Sequence, residues 1–357
     1  MSTTANISLF KKLLRNKGAV FALVVISLSL IIAITAYWWA PDASPNANRI
    51  IVEIGGKKPG FSLDFLLVPI PNKTIEKSAF FGTTDAYQYV PIHSYQLLRD
   101  SIVVNKYVDD DTGIVQKYAL QQKGGTLSKA SIVRKTFYLG TDKFGRDILS
   151  RLLIGTRVSL SVGLMTVLVS LSLGLFLGAI AGYFGGRTDA IVMWFINVIW
   201  SIPTLLLVFA LTLLLGKGFW QVLLAIGLTL WVNIARLVRT QMQSARELEY
   251  VNAAKVLGYS SMRTIWKHII PNIMGPVWVV VAANFATAIV IEAGLSFLGI
   301  GVQPPQPSWG LMIKENYNYI ITNNPFLALI PGFAIMLLVL SFNLLGNGLR
   351  DSLDKKG

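Results

Sequence analysis

The 357-residue chain contains no cysteine and only two histidines, His93 and His268. A thiolate zinc site, a disulfide framework and a haem thiolate ligand are therefore excluded, and cofactor chemistry has little to build on. Charge is scarce too: 14% of the residues are Asp, Glu, Lys or Arg, against 53% hydrophobic. A water-soluble chain of this length needs a polar exterior, so an average this apolar means that much of the surface faces lipid. Acidic residues are the scarcer sign, 18 against 32 basic ones, for a net charge of +14. Such an excess can serve nucleic acid or orient a membrane protein, and the positions of the charges decide between the two.

A spanning helix needs roughly 20 apolar residues. Six segments qualify, approximately 19–40, 158–182, 190–215, 218–235, 274–298 and 325–346, and Glu292 is the only charged residue within them. The first follows Lys11, Lys12, Arg15 and Lys17, as a signal peptide would, but its long apolar run ends in Tyr37-Trp38-Trp39. That is an interfacial aromatic belt rather than a small-residue cleavage site, so the segment reads as a retained anchor. With both termini cytoplasmic, the inner segments hold fourteen basic residues, the last of them Lys355 and Lys356, whereas the two short outer connections hold only Lys217 and Lys314. The long outer segment from 41 to 157 is largely exempt from the charge rule, although Arg146, Arg151 and Arg157 near its membrane entry run against it.

Residues 41–143 read as an extracytoplasmic insertion, mostly β or irregular, punctuated at Gly55-Gly56, Lys58-Pro59-Gly60 and Gly124-Gly125, with an acidic tip at Asp109–Asp111. His93 has no second imidazole nearby in sequence and reads as structural. Residues 144–157 place Phe144, Ile148, Leu149, Leu152 and Leu153 on one helical face and Arg146, Asp147, Ser150 and Arg151 on another, which predicts an interfacial helix leading into the second span. Gly174, Gly178 and Gly182 recur every four residues, a close-packing face or a stretch of the pathway. Pro203 interrupts the third segment, where a kink or an unwound turn is expected. Glu292 admits a proton-relay reading, but a structural role, satisfied by hydration or a hydrogen-bonded partner, is preferred.

Between the fourth and fifth segments runs a basic stretch, 236–273, with helix-turn-helix grammar. Ser244 and Glu247 have capping-box spacing, Gly258 suits a left-handed helix end, and Ser260 or Ser261 can cap a second helix that stops before Pro271. A DNA-reading role is remote because both ends are tethered to membrane spans; a solvated loop and a docking knob are the alternatives.

Asn252-Ala253-Ala254, Gly258 and Pro271 have the spacing of the EAA loop of permease subunits of ATP-binding-cassette importers, and the sequence resembles that family. It departs where Asn252 replaces the glutamate and where His268 and Ile270 replace the isoleucine and leucine of the pattern. LGTDKFGRDILSRLLIGTRVSLSVG from Leu139, EAGLSFLGIGVQPPQPSWG from Glu292 and NLLGNGLRDSLDKK from Asn343 resemble the C-type permeases for dipeptides, oligopeptides and nickel. The resemblance covers the anchor and nearly everything from residue 139, not residues 41–138.

It implies an all-α polytopic membrane protein of the type I importer (MetI-like) permease fold, with six transmembrane helices. Residues 1–40 would be the cytoplasmic N-terminus and first span, 41–143 the insertion, and 144–357 a five-helix core that carries the coupling loop. It further implies residence in the cytoplasmic (inner) membrane, peptide import, and a complex with a homologous permease, two ATPase subunits and an extracytoplasmic solute-binding protein. Arg246, Glu249, Lys255 and Arg263 would supply ion pairs around the docked loop. No GxxxxGK[ST] phosphate loop occurs, so ATP and Mg would be bound by the partner ATPase, with no cofactor in this chain. A nickel or other small-solute permease is the alternative substrate class, and a proton-coupled secondary transporter the alternative mechanism.

Overall fold

The computed structural model describes residues 11–122, 125–127, 131–321 and 324–353. Gly124 and the tail from residue 354, with its Asp354, Lys355 and Lys356, lie outside the described residues. The helices are α1 (Lys17–Trp39), α2 (Ile148–Phe184), α3 (Gly186–Trp200), α4 (Thr204–Leu215), α5 (Phe219–Ala245), α6 (Glu249–Val256), α7 (Ile270–Leu298), α8 (Trp309–Asn316) and α9 (Phe326–Leu353). Helical turns at Ser261–Arg263 and Thr264–Ile269 run into α7, so that Ser261–Leu298 forms one rod of 38 residues.

Among the described residues, five helices are long and apolar enough to cross a membrane: α1, α2, α5, the Ser261–Leu298 rod and α9. The count becomes six if α3 and α4 form one span. Segment 190–215, with the break expected at Pro203, is a pair of helices bent by 93°. Pro203 causes the break. It has no N–H to donate and disfavours helical geometry at Ile202, but its carbonyl accepts from Leu207 N at 3.0 Å and so starts α4.

The interfacial helix expected over 144–157 begins at Ile148 and continues unbroken into the span as α2. Residues 236–245 are not loop but the last turns of α5. Hydropathy averages lose a helix once its residues become polar, while the backbone hydrogen bonds that hold it continue.

The chain divides into two compact units, one of Met1–Leu30, Ser159–Gln303 and Phe333–Gly357, the other of Ile31–Val158 with Pro304–Gly332. In the first, α5 is the hub: 67% of its most apolar window is buried, against 17% for α1. One core joins Ile234, Val238 and Met242 of α5 to Val251, Ile265, Ile269 and Ile273; another joins Val222, Ile226 and Leu230 to Val162, Val208, Ile291 and Leu295. The chain's two ends meet within this unit. Gly348 of α9 lies so near Ala19 of α1 that an added Cβ would come within 2.5 Å of the alanine's, and Asn16 Nδ2 donates to Asp351 at 3.1 Å.

The second unit contains an antiparallel sheet of β1 (Phe61–Pro69), β2 (Tyr87–Leu97), β3 (Ser101–Tyr107), β4 (Gly113–Ala119) and β5 (Ile132–Phe137), in the order β4-β3-β2-β1-β5. Successive strand residues point to opposite faces. Leu66, Val90, Ile92, Ile102 and Val104 form one core, while Phe65, Tyr107 and Phe137 pack with Ile51 and Ile54 in another. The acidic tip is the β3–β4 turn, where Asp109 Oδ1 accepts from the backbone N–H groups of Asp111 and Thr112 at 3.0 and 2.7 Å. His93 bonds the Asp109 carbonyl at 3.1 Å, with its ring 4.7 Å from that of Tyr107.

Candidate functional site

The knob between α5 and α7 is built differently from the expected capping box. Ser244 lies inside α5 and donates to Thr240 O at 3.2 Å, while Leu248, the residue before α6, offers no side-chain cap. Arg246 reaches Glu247 at 3.0 Å and the Tyr183 carbonyl at 3.4 Å, tying the start of the knob to the end of α2. Glu249 in the first turn of α6 and Lys255 in its last complement the helix dipole. Val251 and Ala254 are buried, whereas Asn252, Ala253, Val256 and Leu257 are exposed, the last two at 88% and 71%. One face thus seats the knob on its own core and the other is left apolar and open.

α6 ends in a Schellman motif: Tyr259 N donates to Ala254 O at 3.1 Å and Gly258 N to Lys255 O at 3.0 Å. The motif needs a left-handed residue, and Gly258 has φ +77° with nothing within 4 Å of an added Cβ. Beyond it, Ser260 Oγ caps the next turn by accepting from Arg263 N at 3.4 Å. The Arg263 guanidinium lies 4.3 Å over the Tyr259 ring, and that ring stacks at 5.5 Å on His268.

The second helix does not stop before Pro271, as its sequence predicts. Pro271 instead occupies the first turn of α7, where a missing N–H is tolerated, and Thr264–Ile269 before it widens into a π-turn in which Ile270 N donates to Ile265 O. The extra residue in that turn accommodates the proline ring without ending the rod.

Gly174, Gly178 and Gly182 lie against α5. An added Cβ would come within 2.6 Å of Ile234 at the first, and within 2.5 Å of the Ala235 and Arg239 carbonyls at the other two. Arg239 also donates to Asp189 at the start of α3 with Nη2 at 2.6 Å, and Arg236 stacks 3.5 Å over Trp200 at its end. Glu292 is fully buried. It accepts from Ser296 Oγ at 2.6 Å, and that oxygen accepts from Val302 N at 3.0 Å, so one carboxylate fastens the end of α7 to the turn after it.

The second unit holds an ionic network that sequence reasoning placed on a polar surface. Arg146 and Arg151 are 3% and 1% exposed. Arg146 binds Asp142 and Glu315, both at 2.6 Å, and Arg151 reaches Glu315 at 3.3 Å. Asp142 also accepts from Phe144 N at 2.9 Å and Arg146 N at 3.0 Å, closing the turn of the Leu139 stretch. Nearby, Trp309 Nε1 donates to Leu152 O at 3.1 Å and its ring fills the space left by Gly155, bringing together two of the distant sequence stretches. Beside the network, Asp42, Arg49, Lys135 and Asp147 line a cavity of about 270 Å³. Burial, then the charge of Arg49, pushes the Lys135 ammonium down to about 8; burial raises Asp147. Among the described residues, no cluster of His, Asp or Glu suits a metal ion.

Residues 174–356 match the family described as binding-protein-dependent transport system inner membrane component. The chain is 40% identical over 222 residues to an oligopeptide transport system permease of Bacillus subtilis, covering 62% of this chain and 72% of that protein. It is 39% identical over 244 residues to a dipeptide transport system permease of the same organism, covering 65% and 76%. A glutathione transport system permease of Pectobacterium atrosepticum is 40% identical over 219 residues, covering 61% and 72%. Among solved structures, an inward-facing crystal form of the MetNI methionine transporter is similar at a TM-score of 0.47 and 16% identity, covering 57% of this chain and 96% of that one.

Proposed function

Because this chain belongs to the family of binding-protein-dependent transport system inner membrane components, we propose that it is the permease subunit of an importer that carries short peptides across the cytoplasmic membrane. The substrate class rests on relatives near 40% identity whose names specify oligopeptide, dipeptide and glutathione transport. Partner ATPases supply the energy by gripping the knob, and a homologous permease and an extracytoplasmic solute-binding protein complete the complex. Both termini and the knob face the cytoplasm, while the β-sheet unit lies outside.

The observation that carries the coupling role is the division of the knob into a seated face and an open one. Val251 and Ala254 fix α6 to the core of α5 and α7, so force applied to the exposed Asn252, Ala253, Val256 and Leu257 moves those helices as a body. Gly258→Asp tests this. Nothing lies within 4 Å of an added Cβ, and the strain of a non-glycine residue at φ +77° is confined to the turn of the knob, so the protein is expected to insert normally. Peptide uptake and ATPase co-purification fall by roughly tenfold, the equivalent of about 1.4 kcal/mol at one interface contact. Unchanged uptake with unchanged co-purification would refute the docking assignment.

A further inference from the structure

Between β1 and β2, Lys77–Ser78 pairs antiparallel with Gly82–Thr83 in a short hairpin, whose loop has an exposed apolar tip. Ile75, Phe80 and Phe81 are 50%, 57% and 78% exposed, and Lys73 and Lys77 are exposed beside them. The loop is held against the end of α1. Thr83 N donates to Ala43 O at 2.7 Å, and Gly82 lies so near the Tyr37 ring that a Cβ would come within 2.8 Å of it. Arg157 donates to the Phe80 carbonyl at 2.5 Å, with its guanidinium 5.5 Å from the rings of both Tyr37 and Phe80.

The residues after Tyr37 are Trp38 and Trp39, 74% and 71% exposed, at the end of a 23-residue helix apolar enough to cross a membrane. Exposed tryptophans at the end of so apolar a helix sit at the headgroup level of a bilayer. The contacts through Tyr37, Ala43 and Arg157 place the Phe80–Phe81 tip at that same level. Two adjacent phenylalanines preceded by Lys73 and Lys77 suit this layer, the rings entering the acyl boundary and the ammonium groups meeting lipid phosphates.

We propose that the Phe80–Phe81 tip is an interfacial anchor, dipping into the leaflet that receives the end of α1 with Lys73 and Lys77 at the phosphates. The occupant is lipid because the tip continues the aromatic belt of Trp38 and Trp39. The inference rests on membrane embedding and not on the cargo, so a failure of peptide uptake leaves it standing.

The absence of cysteine makes the test direct. Full-length Phe81→Cys, Phe80→Cys and, as an aqueous control on the β3–β4 turn, Asp111→Cys carry a nitroxide in phosphatidylglycerol-containing vesicles. Collisions with oxygen and with a water-soluble nickel chelate are then measured. The oxygen-to-nickel accessibility ratio at Phe81 or Phe80 is expected to exceed that at Asp111 by roughly threefold or more. A ratio equal to that at Asp111 places the tip in water and overturns the proposal. Shielding from both reagents means that a protein surface covers the tip, which overturns it equally. Should one label disturb folding, the other phenylalanine gives the answer on its own.

Discussion

Arg146 and Arg151 owe their burial to Asp142 and Glu315, and the four charges sum to zero. Removing one partner from such a group strands a buried charge, a loss of about 3 to 5 kcal/mol. Glu315→Gln is therefore expected to lower the unfolding midpoint sharply in a denaturant titration, whereas Glu53→Gln, which removes only the half-exposed pair with Lys106, changes it little. Lys135 gives a prediction of opposite character. Its folded value of about 8 lies below the ordinary 10.5, so between those values the unfolded chain holds more protons. Stability must then rise with pH from about 8, the penalty being fully present below it. Tyr89, raised above its ordinary 10.0, works the other way at higher pH, which confines the clean window to pH 8–10. Denaturation of Lys135→Met across that window checks this: the variant should lose the upward slope.

At the scale of elements, the glycine stripe of α2 sets how closely α5 approaches. Gly178→Leu pushes a side chain into the Ala235 carbonyl and Val238, with an overpacking cost of about 1 to 3 kcal/mol or more. The expected outcome is a lower thermal midpoint in detergent, while Gly294→Ala in α7, with nothing within 4 Å of its added Cβ, meets no such obstruction. The apolar spans were legible because about 20 residues of hydropathy announce a membrane helix without any tertiary information. The left-handed end at Gly258 was legible for a similar reason, since its signal is local. What escaped depended on partners far along the chain or on geometry that composition does not encode. Ser244 and Glu247 have capping-box spacing, yet α5 runs past Ser244 and leaves it no helix start to cap. Pro203 announces a break but not a 93° bend. Arg151 looked like surface because Glu315, 164 residues later, carries no mark of their meeting.

For the whole molecule, orientation is the property on which every assignment of inside and outside depends. In intact cells, a membrane-impermeant maleimide is expected to label Asp111→Cys and to spare Asn252→Cys until the membrane is opened; the reverse pattern would invert the proposed topology. The meeting of α1 with α9 carries a consequence in time. Asn16 and Asp351 are 335 residues apart in the chain. At synthesis rates of roughly 5–20 residues per second, the first helix emerges some 15 to 70 seconds before its partner exists. Throughout that interval the start of α1 must stay in the membrane without its permanent neighbour, and the contact closes only after α9 has been made.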